Sequence, residues 1–71
     1  MKYKDFLDLL LPNTKVRCFR ELYHFLGTVP DKDGEVFLFK KWDRYHKRWR
    51  YHALPNWELE VDFEDGVIHI L

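Results

Sequence analysis

The sequence predicts an α+β domain in which two N-terminal helices pack on a four-stranded, mainly antiparallel β-sheet. Two observations favour this fold class. Apolar residues recur about every 3.6 positions, the period of a helix, in the first third of the chain, and at every second position, the period of a strand, near its end. With 71 residues and one cysteine, the chain has room for one small core and for no internal disulfide. We therefore expect residues 1–71 to form a single small domain.

The helical period predicts two helices, over residues 3–11 and 15–26. Pro12 disfavours helical geometry at the residue before it, so the first helix should end about there. Asn13 or Thr14 can cap the second helix, and a glycine such as Gly27 is typical of a helix C-terminus. The apolar stripe of the second helix consists of Val16, Phe19, Leu22, Tyr23 and Leu26.

A cluster of turn-forming residues at 29–35 separates the helices from the predicted strands. Residues 57–63 alternate strictly between apolar and acidic side chains, which predicts a strand with Trp57, Leu59, Val61 and Phe63 facing the core. Asp65 and Gly66 then predict a tight hairpin turn. The four strands are expected over residues 35–41, 48–54, 57–63 and 67–71.

Residues 42–53 allow two interpretations, because they contain both a helical apolar stripe and, from residue 48, a strand-like alternation. Charge favours the strand. An antiparallel hairpin between residues 48–54 and 57–63 would place two arginines and a histidine opposite three acids, and such cross-strand pairs stabilise sheets. The expected pairs are His52 with Glu58, Arg50 with Glu60, and Arg48 with Asp62.

The segment Lys40–His52 contains six of the twelve Lys and Arg residues, together with four Trp or Tyr residues. Arg48, Arg50 and His52 are expected to pair with acids. Residues 40–47, which precede them, therefore remain available to contact a partner. Trp, Tyr and Arg are the residue types enriched in binding hot spots. The predicted binding residues are Lys40, Lys41, Trp42, Arg44, Tyr45, His46 and Lys47.

Twelve basic and twelve acidic residues give a formal net charge of zero, so no global field attracts nucleic acid or a membrane. We therefore expect a small protein-interaction module, such as an adaptor, inhibitor or immunity-type protein, whose partner has an acidic surface. The alternative is a protein that binds RNA or DNA, or a small metal-independent ribonuclease, through the same residues. In that alternative His46 and Arg44 are the candidate catalytic residues, an acid/base beside a phosphate ligand.

A solvated turn with a lone histidine is the competing interpretation of the segment around His46, and we favour it over catalysis. No pattern predicts a metal or a cofactor, because the four histidines lack ligand-like spacing and no glycine-rich phosphate loop is present. Cys18 lies beside an apolar stripe and is expected in the core rather than as a nucleophile.

The final third of the chain, WRYHALPNWELEVDFEDGVIHIL, resembles the sheet half of RelE-type ribonuclease toxins, which also have a Trp-Arg-Tyr strand before a hairpin. The resemblance implies an antiparallel sheet and, for the alternative function, cleavage of RNA. It covers this third of the chain alone, and no catalytic residue is transferred from it.

Asp5 and Asp8 interrupt the apolar N-terminal run, and no small-residue cleavage site follows, so the sequence predicts neither a signal peptide nor a membrane span. A single cysteine is typical of a reducing compartment, and we expect a cytoplasmic protein. We also expect a homodimer, since a small sheet leaves two edges open and the strand at 67–71 has no charged residue to block pairing.

Overall fold

The computed structural model describes residues 1–32 and 34–71. This part of the chain forms one helix near the N-terminus, a second near the C-terminus and a five-stranded antiparallel sheet. The prediction of a small protein with helices and an antiparallel sheet is confirmed. The prediction that two N-terminal helices pack on four strands is wrong. The elements are α1 Tyr3–Leu9, β1 Lys15–Cys18, β2 Glu21–Asp31, β3 Gly34–Asp43, β4 Arg48–Pro55, α2 Asn56–Glu64 and β5 Ile68–Ile70.

The strand order across the sheet is β4-β3-β2-β1-β5. Strands β1 to β4 follow one another as antiparallel neighbours, and β5 returns after α2 to pair with β1 at the opposite edge from β4. The turn cluster predicted at 29–35 is mostly strand, because residues 29–31 end β2 and residues 34–35 begin β3; its Asp33 lies outside the described residues.

The helix predicted over residues 15–26 is wrong, because this segment forms β1 and the first half of β2. Phe19 and Arg20 have positive φ angles of 53° and 82° and reverse the chain after four residues of strand. Val16 then lies opposite Tyr23, and both side chains point to the core. The helical stripe was overridden because β1 gains ladder hydrogen bonds from β2 on one side and β5 on the other.

The strand predicted over residues 57–63 is also wrong, because the segment is helix α2. Leu59 and Phe63 lie four residues apart and pack inward, whereas Trp57 and Val61 form a second such pair that faces solvent. Glu58 in the first turn favours this helix through its dipole. An alternating pattern thus separates into two faces of a short helix.

The predicted hairpins through α2 are absent, and with them the three predicted ion pairs. Asp65 and Gly66 end the helix rather than joining two strands, and the Val67 amide donates to the Asp62 carbonyl. Strand β4 pairs instead with β3, which places Arg50 opposite Lys41. The Trp-Arg-Tyr segment is a strand, but the hairpin expected to follow it does not form, because the next segment is α2. The resemblance to RelE-type toxins rested on that hairpin.

Both helices lie on one face of the sheet, and the core lies between the helices and that face. The rings of Phe6 in α1 and Phe63 in α2 are 5.0 Å apart, and the Tyr3 hydroxyl donates to Asn56 Oδ1 at 2.7 Å, so the two helices are held together. The buried core consists of Phe6, Leu10, Val16, Phe25, Phe37, Phe39, Leu59 and Ile68.

We expect Leu59→Ala to lower the free energy of unfolding by about 2–5 kcal/mol, because Leu59 is 0% exposed and its removal leaves a cavity. The matched control is Trp57→Ala in the same helix, where the side chain is 66% exposed and the loss should stay within about 0.5 kcal/mol. Urea unfolding followed by circular dichroism measures both. Equal losses for the two variants would contradict the helical assignment of residues 56–64.

Candidate functional site

The sheet has one face covered by helices, the helix face, and one face without a covering element, the bare face. Register assigns residues to each, because side chains alternate along a strand and paired residues share a face. Every residue of the bare face is partly or fully exposed. The bare face includes Lys15, Arg17, Leu22, His24, Val29, Val36, Leu38, Lys40, Trp42, Trp49, Tyr51, Ala53 and His69.

Three large aromatic side chains of β3 and β4 stand together on the bare face. Trp42 and Trp49 are directly opposite in the ladder, with ring centroids 5.3 Å apart in an edge-to-face arrangement. Lys40 Nζ lies 4.2 Å from the Trp49 ring centroid, and the His24 ring meets the same indole edge-on. These neighbours hold Trp49, whereas Trp42 and Tyr51 are the freer rings, 45% and 69% exposed.

The charges on the bare face are mainly positive. Lys15, Arg17 and Lys40 lie on it, and among the described residues its one acid is Asp31, at the end beside the β2–β3 turn. Helix α2 on the other side has four acidic residues and no basic one. The net charge of zero therefore hides a separation of sign between the two sides of the molecule.

An open depression of about 610 Å³ adjoins the bare face where the start of β2 faces the end of β3. Four of the predicted binding residues line it, Lys41, Trp42, Arg44 and Tyr45, and Tyr45 is 96% exposed. Residues 44–47 form the turn between β3 and β4, with φ of 52° at Lys47. The segment predicted as one binding loop is thus the end of β3 together with a tight turn.

Lys41 is separated from Lys40 and Trp42, because it points to the helix face. Its ammonium group contacts Glu21 Oε1 at 2.8 Å, and the Tyr23 hydroxyl donates to Glu21 Oε2 at 3.0 Å. Hydrogen bonds from Lys41 and then Tyr23 lower the pKa of Glu21, while burial, followed by the contact with Glu21, raises the pKa of Tyr23 to about 12. Lys41 therefore links β3 to the start of β2 rather than adding to the bare face.

Asp43 organises the β3–β4 turn. Its Oδ1 accepts hydrogen bonds from the backbone amides of Tyr45 and His46, and its Oδ2 lies 2.6 Å from Arg50 Nε and 2.8 Å from His46 Nδ1. The hydrogen bonds from Arg50 and then His46 hold the pKa of Asp43 well below its usual range. Arg50 is thus paired within its own hairpin, and the prediction that it pairs with Glu60 is wrong.

His46 is oriented by Asp43 but has no reactive neighbour in this cluster. An imidazole aligned by a carboxylate is one part of an acid/base site, and catalysis also needs a reacting group within hydrogen-bond reach. The contacts of the ring are to Asp43 and Arg50, both already used to close the turn. This geometry favours a structural turn, and catalysis by His46 and Arg44 stays a prediction.

A second depression, of about 200 Å³, lies on the helix face beside α2 and is lined mainly by apolar side chains. Cys18 is among them. Burial, followed by the negative charges of Asp62 and Glu21, raises the pKa of this thiol, so the nucleophilic thiolate is disfavoured. His52, which was predicted to pair with Glu58, instead packs edge-on against Tyr23 at 5.3 Å between ring centroids.

Four residues of the bare face were missed by the sequence prediction: Lys15, Arg17, Trp49 and Tyr51. The first two were assigned to a helix, and the other two to the side of a sheet that packs on the core. A signal was present, because Lys15 and Arg17 alternate with Val16 and Cys18 as in a strand that is buried on one face.

Comparisons of the chain with protein-family models, with curated proteins and with solved structures found no match. Within residues 1–32 and 34–71, no three His, Cys, Asp or Glu side chains are grouped so that they could hold a metal ion. In the same part of the chain, neither helix has the length and apolar character needed to cross a membrane. A function for this chain is therefore inferred from the side chains of the bare face.

We expect Asp43→Asn to destabilise the protein near neutral pH and to change the pH dependence of unfolding. Since the pKa of Asp43 is lowered in the folded state, its contribution is present above the ordinary aspartate pKa of about 4 and is lost as pH falls below that value. The difference in urea midpoint between wild type and variant should shrink between about pH 5 and pH 2. Asp8→Asn, at an exposed position of α1, is the control. A difference that is constant over this range would contradict the role of Asp43.

Proposed function

We propose that this protein binds single-stranded nucleic acid on the bare face of its sheet. The observation that supports this most directly is the grouping of Trp42, Trp49 and Tyr51 with Lys15, Arg17 and Lys40 on a sheet face that no helix covers. Proteins that bind single strands combine aromatic side chains, on which bases stack, with cations that follow the phosphates.

The rings offer stacking surfaces at a spacing set by the sheet. Trp42 and Tyr51 project from neighbouring strands and are the most exposed rings of the group, so each can take one base. The depression beside Trp42 gives a second base room to leave the strand and contact Tyr45. Stacking of one base on one ring contributes about 1–3 kcal/mol.

The zero net charge was the reason to expect a protein partner instead. That reason weakens once the charges are assigned to sides, because the acids of α2 lie behind the sheet and the bare face has three cations, of which Lys40 lies at the Trp49 ring and Lys15 and Arg17 lie on β1. A strand lying on this face meets cations first. Salt dependence should still be moderate, because three phosphate contacts are few.

A partner protein with an acidic surface is the competing occupant, and it was the first expectation from the sequence. Trp and Tyr also fill pockets in protein interfaces, and Lys and Arg steer an acidic partner. Nucleic acid is favoured because the bare face is a broad sheet surface with rings standing on it rather than a groove that grips a segment of protein. Absence of binding to any oligonucleotide would return the assignment to a protein partner.

We expect Trp42→Ala to weaken binding to a fluorescently labelled single-stranded oligonucleotide by about 5- to 150-fold, the loss of one stacked base at about 1–3 kcal/mol. Trp57→Ala is the matched control, because Trp57 is more exposed than Trp42, 66% against 45%, but lies on α2. Fluorescence anisotropy measures the affinity, and circular dichroism establishes that both variants are folded. Equal effects of the two substitutions would refute the site.

We also expect a logarithmic salt slope of about −2 for the wild-type affinity to an oligonucleotide short enough to contact a single chain, because three cations on a single strand contribute about −0.7 each. Arg17→Ala should reduce the slope to about −1.4, since one phosphate contact is lost. Lys4→Ala on the outer side of α1 changes the same net charge and serves as control. A slope near zero would favour a protein partner held by aromatic burial.

A further inference from the structure

Strand β4 is an open edge of eight residues, the longest uncovered edge of the sheet. Its ladder with β3 has eight consecutive residue pairs without a bulge, so its outer backbone groups form a straight row. Edge strands that avoid pairing usually have charged side chains, bulges or an internal proline. Along Arg48–Leu54 the strand has no bulge and no proline. Of its two arginines, Arg50 is neutralised by Asp43, and Arg48 lies at the end of the strand. The opposite edge, β5, has three residues.

The side chains of β4 are complementary to a second copy of β4 in one antiparallel register. When the two-fold axis passes through Tyr51, that residue meets its own copy, Trp49 lies opposite the small Ala53, and Arg50 lies opposite His52. Arg48 then lies opposite Leu54, so no two arginines meet.

The neighbouring registers are worse. An axis through Arg50 would place two arginines opposite each other, and like charges directly opposite are destabilising. An axis through His52 would place Trp49 opposite Pro55, which has no amide proton to give to the ladder. In a register shifted by one residue, a bare-face residue of one copy would lie opposite a helix-face residue of the other. A two-fold symmetric antiparallel pair does not allow this, because directly opposite residues point to the same side of the sheet.

We propose that two copies of this chain pair antiparallel through β4, centred on Tyr51, and that their bare faces join into one binding surface. The pair of Tyr51 rings would lie at the centre of a ten-stranded sheet, between the tryptophan pairs of the two copies. The partner copy thus contributes aromatic and cationic residues to a continuous surface. The pairing stands independently of the ligand, whereas the shared surface rests on the proposed function.

The joined surface accounts for how a face with three cations can hold a single strand. One copy alone offers about three phosphate contacts, whereas the dimer offers twice that number in a continuous path, and a strand that spans both copies should show a salt slope of about −4. An oligonucleotide too short to span both copies should keep the slope of about −2.

Disulfide trapping without nucleic acid tests the pairing. In a Cys18→Ala background, Tyr51→Cys should form a disulfide-linked dimer under mild oxidation, because residues directly opposite in an antiparallel pair have Cα atoms about 4.5–5.5 Å apart, within disulfide range. Trp49→Cys mixed with Ala53→Cys should form the mixed dimer, while each alone should not. Val29→Cys, an exposed bare-face position on β2, two strands away from β4, is the matched control.

Sedimentation equilibrium of the wild type should give twice the mass of 8.8 kDa at high micromolar concentration. Ala53→Lys, which places a cation on the exposed edge, should give the mass of one chain with an unchanged circular dichroism spectrum. A wild type that is monomeric throughout, or trapping at Val29→Cys as fast as at Tyr51→Cys, would overturn the pairing. A dimer that binds no oligonucleotide would refute the proposed function and leave the pairing intact.

Discussion

The burial of a single face of the sheet is the constraint on which the rest of this structure depends. Helices α1 and α2 have seven and nine residues; α2 packs against β3, β4 and β5, and α1 packs against α2. Leu59 and Val16 are fully buried where the layers meet. A sheet with one covered face is enough for a small stable core, but it leaves the second face in water. The exposure of Trp42 and Trp49 follows from this shortage of covering chain.

Charge follows the same division into two sides. The acids of α2 lie behind the sheet, and Lys15, Arg17 and Lys40 lie on its bare face, so a neutral chain has a positive surface. The extension of β3 and β4 beyond α2 adds a polar hairpin that Asp43 closes through Arg50 and His46. The same extension makes β4 an edge long enough to pair. The bare face and the open edge of β4 are therefore the two parts of the sheet that this short chain leaves without a covering element.

The candidate site was predicted in part. The density of Lys, Arg and Trp after residue 40 located the segment, and Lys40 and Trp42 do lie on the bare face. The prediction was wrong about which side chains meet. It paired Arg50 with Glu60, whereas Arg50 Nε lies 2.6 Å from Oδ2 of Asp43, seven residues away in the sequence. It also missed Lys15 and Arg17, because a cation on β1 joins the surface through strand order, which local pattern does not contain.

By itself the sequence determined that this is a small protein with a helix beginning at Tyr3, an antiparallel sheet and a strongly basic and aromatic segment, although it also predicted a second N-terminal helix that does not form. It did not determine the identity of two segments. Residues 15–26 match a helical stripe and residues 57–63 match a strand alternation, yet each adopts the other structure. Only tertiary structure decided them: β1 is stabilised by neighbours on both sides, and α2 by placing Leu59 and Phe63 over the sheet. Burial and ladder hydrogen bonds outweigh propensity differences of about 1 kcal/mol or less per residue, so a short segment takes the form its neighbours require.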